Sequence, residues 1–301
     1  MIELRQLRCF LAVADEAHFT RAANRLHIAQ PAVSHQIRQL ERHLGTSLFE
    51  RSPKLVRLTD AGHALLPHAR AAFAALDAGR SAVHATGGAL RGQLTLGLVV
   101  GAAVLRVPAL LGTFRRAHPD ITVTLRQELP EAMLAAVREG SLDAAVVGIR
   151  DDAAIAGVSL RYLHTEPLAV AVATDHEWSH RRRLAMAELD GVPLVTLTSG
   201  AGLRPLVQRA CRQAGFEPVF ACETNDLDLL AQLAAAQVGV AILPRSAAEA
   251  TPGAVAITLT APTLQRHLAL AWRSSGTPSP VARRFLAYAT TWLTQPDQPD
   301  D

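Results

Sequence analysis

The chain has 301 residues, with 30 Lys/Arg against 27 Asp/Glu and a formal net charge of +3. Its three cysteines (Cys9, Cys211, Cys222) show no CxxC and no histidine at metal spacing, which argues against a disulfide framework or a zinc site. The longest near-continuous apolar run, Leu96 to Leu105, is far short of the ~20 residues that span a bilayer, and Met1-Ile2-Glu3-Leu4-Arg5 does not read as a signal peptide.

In chain order, Leu4, Leu7, Leu11 and Ala14, with Phe10 beside them, form the apolar stripe of a first helix. Cys9 lies off the centre of that stripe. A second helix, Thr20 to Leu26, carries Ala22 and Ala23, small enough for another helix to cross closely. The turn His27-Ile28-Ala29 follows, and Gln30-Pro31 opens a third helix, where proline's missing N–H is not needed. Val33, Ile37, Leu40 and Leu44 stack on one face of it. Pro31, His35, Arg38 and Arg42 point the opposite way, with Ser34 on the flank. Such an outward row suits the major groove of DNA, where hydroxyl, imidazole and guanidinium groups meet base edges and phosphates. An ordinary amphipathic surface helix would share the periodicity. The alanine pair, the turn, Pro31 and the segment that follows favour DNA reading.

That segment returns Leu48 and Phe49 to the core, turns at Arg51-Ser52-Pro53-Lys54, and alternates through Leu55 to Thr59 like a half-buried strand. Residues 1–60 hold nine Lys/Arg and six Asp/Glu, and the other 241 residues hold 21 of each. The whole net charge therefore sits in the first fifth of the chain, the electrostatic footprint of a nucleic-acid-binding module. Residues 60 to 86 predict one long helix, capped by Thr59 or Asp60, with Pro67 in an early turn. Leu65, Ala69, Ala72, Leu76, Gly79 and Val83 follow a heptad seam that two copies could bury against each other. Thr86-Gly87-Gly88 then breaks the helix.

Strands and helices alternate from Arg91 on. Gln93–Val100, Ile121–Gln127 and Leu142–Ile149 read as strands around helices Ala103–His118 and Pro130–Gly140, which implies a largely parallel sheet. A second set follows, with strands near 167–173, 193–197, 218–223 and 239–243 and helices near 202–215 and 225–237. Val255–Leu259 and His267–Trp272 add strands, and Ser279–Thr294 closes with a helix. About 210 residues of this pattern fit two lobes joined by crossing strands.

The run from ELRQLRCFLAVADEAHFTRAANRL through HIAQPAVSHQIRQLERHLGTSLFERSPKLVRLTDAGHALLPHA resembles the N-terminal region of the LysR-type transcriptional regulators, almost without gaps over about seventy residues. The resemblance implies an α/β protein in three parts. A winged helix-turn-helix, mainly α, occupies 1–59, and a linker or dimerisation helix occupies 60–88. A two-lobed α/β effector domain like the periplasmic binding proteins occupies 91–297, with lobe I about 91–162 and 268–297 and lobe II about 163–267. It carries DNA contacts onto Gln30, Pro31, Ser34, His35 and Arg38, with Arg51 and Lys54 in the wing. His35 departs from the arginine often found there; imidazole reaches less far and is mostly neutral at pH 7.

By the same resemblance the effector cleft is lined by Val99, Val100, Gly101 and Ala102, by Gln127, Glu128 and Leu129, and by Gly148 and Ile149. Lobe II would add Thr198, Ser199 and Gly200, and then Glu223 to Asn225. The first wall lacks the hydroxyl common among relatives. Glu128 would repel a dicarboxylate in a low-dielectric cleft, so a neutral, aromatic or amine-bearing effector fits better, unless Val100 simply packs and Glu128 faces solvent.

No Gx₄GK[ST], helix-opening GxGxxG, HExxH or GxSxG occurs, and the Arg181-Arg182-Arg183 run reads as a solvated loop, so no catalytic residue, cofactor or metal is expected. Expected partners are an interrupted palindromic DNA operator, a small-molecule effector and a second copy of the chain, with tetramers implied by the resemblance. RNA polymerase is a further candidate, and a cytoplasmic, membrane-free location is expected. An enzyme or solute-binding protein with a degenerate DNA-binding head is the alternative. A redox pair of Cys211 and Cys222 is set against both simply being packed.

Overall fold

The computed structural model describes all residues except Met1, 52–55, 86–89, 102–104, 150–153, 201 and 294–301. The chain divides into two compact units: Met1–Arg80 with Glu139–Ser141, and Ser81–Arg138 with Leu142–Asp301.

The first unit begins with α1 (Leu4–Glu16), α2 (Phe19–Leu26) and α3 (Gln30–Leu44). Phe10, Val13, Ala22, Ala23, Val33, Ile37 and Leu40 close one core. The alanines on α2 let its neighbours approach. The α2–α3 turn depends on His27, in the left-handed region at φ 54°, whose N–H caps the Ala23 and Asn24 carbonyls. Gly45, at φ 70°, ends α3 in the same way. A hairpin of β1 (Phe49–Arg51) and β2 (Val56–Leu58) follows, in antiparallel register Glu50 to Arg57. Phe49 turns inward, its ring 5.4 Å from that of Phe10 and 6.0 Å from that of Phe19. The long helix α4 (Asp60–Ala85) runs unbroken through Pro67. The Thr59 hydroxyl accepts from the Gly62 N–H at 3.1 Å and donates to the Ser47 carbonyl, tying the hairpin to the helix start. Gly62 is obligatory there, because a Cβ would collide with the Leu48 carbonyl.

Two parts of the expected packing differ. Leu4 and Leu44 are exposed, whereas Cys9 is buried with Phe10, Ala12 and Val13. Helix α1 is rotated toward Cys9 relative to the leucine stripe, and Leu44 lies in the last turn beyond the end of the core.

The second unit comprises two α/β lobes. In lobe I, β3 (Gly92–Leu98), α5 (Val107–Ala117), β4 (Ile121–Arg126), α6 (Pro130–Glu139) and β5 (Ala144–Ile149) form parallel β4-β3-β5 pairing. The 16-residue β6 (Val158–Ala173) then crosses into lobe II. That lobe contains β7 (Arg183–Ala185), β8 (Pro193–Leu197), α7 (Leu203–Gln213), β9 (Val219–Thr224), α8 (Leu227–Ala235), β10 (Val240–Pro244), α9 (Arg245–Ala250) and β11 (Ala254–Thr260). Strand β12 (Gln265–Arg273) returns to lobe I between β5 and β6, and α10 (Pro280–Trp292) closes the chain. The sheet order β4-β3-β5-β12-β6-β10-β8-β9 makes β6 the shared seam, with β12 on its first half and β10 and β11 on its second. The first half of β6, β7 and α9 were not foreseen. Arg161, Tyr162, His164 and Glu166 break the apolar pattern of β6, and Arg183, at the end of the arginine run, opens β7.

Ile37 is fully buried at the centre of the first unit. Ile37→Ala is expected to cost about 2–5 kcal/mol, read as loss of operator binding on mild urea titration while tryptophan fluorescence, which reports only the second unit, stays native.

Candidate functional site

Helix α3 places its candidate contacts as its phase requires. Val33, Ile37 and Leu40 are fully buried, while Gln30, Pro31, His35 and Arg38 are exposed and Ser34 is half-buried. Gln30 Nε2 donates to Ser34 Oγ at 2.9 Å, so the two polar groups at the helix start orient each other. Arg38, Glu41, Arg42, Gly45, Thr46 and Ser47 line an open groove along the C-terminal half of the helix and the turn after it. Glu41 is turned away, accepting from the Leu48 N–H at 2.9 Å. Arg57 is exposed on β2; Arg51 lies in β1, and Lys54 falls outside the described residues. Arg25 is paired with Asp15 at 3.1 Å and Glu16 at 3.4 Å. Arg21 is paired with Glu16 as well. On α3 and β2 the exposed cations among the described residues are Arg38, Arg42 and Arg57.

Along α4 the expected seam divides. Ala69 is fully buried and Leu65 half-buried in the unit's own core, so the first half of the repeat closes the DNA-reading module instead of facing a partner. Ala72 is half-buried; Leu76 is 42% exposed and Val83 is exposed.

In the second unit, Val100 and Gly101 lie half-buried in the turn that follows β3, and Ala102 lies outside the described residues. Gln127 is exposed and Ile149 half-buried. Glu128 is held by Arg126 at 2.5 Å, which removes the isolated charge on which the argument against a dicarboxylate relied. In lobe II, Ser199 and Gly200 are exposed, and the Thr198 hydroxyl donates to Asn225 Oδ1. Glu223 is paired with Arg204 at 2.6 Å, and Arg204 also donates to the Leu197 carbonyl and lies 4.3 Å over the Phe220 ring. The Asp226 carboxylate caps α8, accepting from the N–H groups of Asp228 and Leu229. That helix end already has its anion.

Sequence reasoning missed the most buried charges of the domain. Arg266 on β12 and Glu166 on β6 are 7% and 3% exposed and meet at 2.7 Å where the strands cross between lobes. Arg266 also donates to the Gly101 carbonyl at 2.6 Å and the Val100 carbonyl at 3.3 Å. Ser246 on α9 donates to Glu166. Each charge therefore has further hydrogen bonds, as burial demands. The available signal was a lone charge beside each apolar run, LAVAVA and HLALAW.

Cys211 is fully buried on α7 with Met186 sulfur 3.9 Å away, and burial, reinforced by Glu217, pushes its thiol up to about 11. Burial also raises Cys9. Cys222 is half-buried on β9. Among the described residues no group of His, Cys, Asp or Glu is arranged to hold a metal ion, and no helix is long and apolar enough to cross a membrane.

A family model described as "Bacterial regulatory helix-turn-helix protein, lysR family" matches residues 4–63, and one described as "LysR substrate binding domain" matches residues 87–294. The chain belongs to the LysR family. It is a LysR-type DNA-binding transcriptional regulator with an effector-binding domain, and the family is one of regulators, not enzymes. It is 33% identical over 93% of its length to a probable hydrogen peroxide-inducible genes activator of Mycobacterium leprae, covering 90% of that protein. It is 30% identical to the transcriptional dual regulator GltC of Bacillus subtilis, covering 99% of both chains. Among solved structures, a full-length OxyR variant from Pseudomonas aeruginosa is similar at TM-score 0.71 and 27% identity, covering 99% of both chains. Full-length CbnR complexed with its target DNA is similar at TM-score 0.66 and 25% identity, over 96% of this chain and 99% of that one.

For the LysR-type effector domain, the buried pair makes a sharp prediction. Arg266→Met should destabilise the second unit by about 3–5 kcal/mol by stranding Glu166. Adding Glu166→Met should recover most of that loss, as read from urea denaturation by tryptophan fluorescence.

Proposed function

We propose that the chain is a homodimer or tetramer that reads an interrupted palindromic operator through α3 and the hairpin, with binding modulated by a small molecule between the two lobes. The observation that carries this reading is the two-faced α3. Its apolar face is fully buried and its opposite face presents Gln30, Pro31, His35 and Arg38 to a partner, flanked by Arg42 and Arg57. The CbnR complex with target DNA supports the same use of the related fold. Arg51 and Lys54 complete the proposed wing contacts. Pairing is assigned to the later half of α4, where Leu76 is exposed and a Cβ at Gly79 would meet nothing within 4 Å. RNA polymerase is the proposed further partner at activated promoters, in a reducing cytoplasm.

The effector is proposed to lie against Val100, Gly101 and Ala102 and against Gln127, Glu128 and Ile149 in lobe I. Thr198, Ser199, Gly200, Glu223 and Asn225 are its proposed contacts in lobe II. Both carboxylates there are paired with arginines, so neither supplies free charge.

Footprinting on the chain's own upstream DNA over a range of salt concentrations tests the DNA reading, and binding without preference over random DNA would sink it. Arg38→Ala is expected to weaken operator binding by about 1–3 kcal/mol. His35→Ala should relax base preference at one position, and Arg51→Ala should weaken all sequences alike and lower the salt slope by about one. A base-preference profile for His35→Ala identical to that of the parent refutes the contact given to His35.

The names of several relatives raise hydrogen peroxide as a signal. Two of the three thiols speak against taking part, because the attacking species is a thiolate, Cys9 and Cys211 are buried and Cys211 is held near 11; Cys222, half-buried on β9, is the more accessible one. Peroxide treatment followed by thiol labelling under denaturing conditions is expected to find Cys9 and Cys211 still reduced. Rapid loss of either would reopen a redox role.

A further inference from the structure

Two of the contacts between the lobes are of one kind, made in opposite directions. Gly101, in the turn that follows β3 of lobe I, has φ +76°, and a Cβ there would collide with Leu227 Cδ2 of lobe II. Leu227 is the first residue of α8 and is buried, its direction set by the Asp226 cap immediately before it. Gly200, past β8 of lobe II, has φ +90°, and a Cβ there would lie 3.0 Å from Leu129 Cδ1 of lobe I. Leu129 immediately precedes α6 and keeps 43% of its surface exposed, so this second contact sits at the rim. Each lobe thus offers a glycine in a left-handed conformation and receives a leucine from the other. Any larger residue would be strained at either glycine; at Gly101 it would also collide with buried Leu227, and at Gly200 it would push against the end of the Leu129 side chain. Beneath the inner contact, Arg266 holds the Val100 and Gly101 carbonyls, Glu166 holds Arg266, and Ser246 holds Glu166. The glycine that receives Leu227 is therefore fixed from below by a buried network that also reaches lobe II.

We propose that Leu227 on Gly101 and Leu129 on Gly200 form a two-point latch between the lobes, and that an effector binds by taking the places of these leucines against the two glycines. The ligand class follows from the wall it would meet. The Arg266 guanidinium lies 3.1 Å from where a Cβ of Gly101 would sit, but it is already held by Glu166 and by the Val100 and Gly101 carbonyls, so the wall at Gly101 favours an uncharged apolar group over a carboxylate. This rests on the proposed effector cleft. The latch itself is tested without any ligand, so its failure leaves the cleft assignment to stand or fall separately.

The experiment uses the full-length chain with spin labels at Glu131→Cys on α6 and Arg209→Cys on α7, both exposed positions, in a Cys222→Ser background. Double electron–electron resonance is expected to give one narrow distance across the cleft. Leu129→Ala with Leu227→Ala should lengthen and broaden it, and Gly200→Ala, which wedges the rim without removing a leucine, should do the same. A distribution for the leucine double variant that superimposes on the parent overturns the latch. In that double variant, millimolar indole should restore the narrow distance and succinate should not. Restoration by succinate, or by neither, overturns the assigned ligand class.

Discussion

The second unit depends on two charges that have been taken out of water where its lobes cross. A guanidinium and a carboxylate buried to the extent of Arg266 and Glu166 are tolerable only when every polar direction around them is used. Here the remaining hydrogen bonds go to the Val100 and Gly101 carbonyls on one side and to the Ser246 hydroxyl on the other. The same bonds that make burial tolerable fix the loop ending the first strand of lobe I. They also hold α9 of lobe II to β6. A hydrophobic pair could fill that volume, but it could not orient two carbonyls. The pair is thus better understood as a positioning device than as a source of stability.

The same internal pairing recurs at the other polar groups near the crossing of the lobes. The Val100 and Gly101 carbonyls face Arg266, the α8 N-terminus faces Asp226, and Arg204 faces Glu223. Three positions at which a ligand carboxylate could gain a strong partner are already occupied from within the chain. The lobe contacts near them are apolar: glycine against leucine, and Val100 against the lobe II core. The missing hydroxyl in Val99–Ala102 was legible in the sequence, and the internal pairing shows why its loss is consistent with the rest of the cleft. The carboxylate of Glu128 was read as an isolated charge because its neighbour two residues away, Arg126, looked like part of a strand face.

Local chemistry was legible because local rules produced it. Helix α3 runs from Gln30 to Leu44 as proline at its second position and Gly45 after its end dictate. The parallel strands read from apolar runs match β3, β4, β5, β8 and β10 closely. The failures have a common cause. The first half of β6 carries Arg161, Tyr162, His164 and Glu166, whose partners lie on a strand about a hundred residues away, and periodicity holds no information on that pairing. The phase of α1 slipped because leucines were weighted over Cys9, although the smaller side chain fits the close crossing beside Ala22 and Ala23. Leu65 and Ala69 obeyed a heptad that serves two purposes in succession, an internal core first and an exposed face afterwards. A repeat alone cannot show where one purpose gives way to the other.

The charge of the DNA-reading unit obeys the same logic of internal pairing. Nine basic residues precede position 61, yet Arg21 and Arg25 are bound to Asp15 and Glu16 on the far side of α1 and α2. Net charge therefore understates how directional the module is. Its acids neutralise the arginines away from α3, while Glu41, the acid within α3, is turned inward to the Leu48 N–H. Glu41, though it lines the groove beside Arg38 and Arg42, is half-buried and has one carboxylate oxygen engaged by the Leu48 N–H. Within the exposed row of α3, His35 places an imidazole, shorter than a guanidinium and without its fork of five donors, between Pro31 and Arg38.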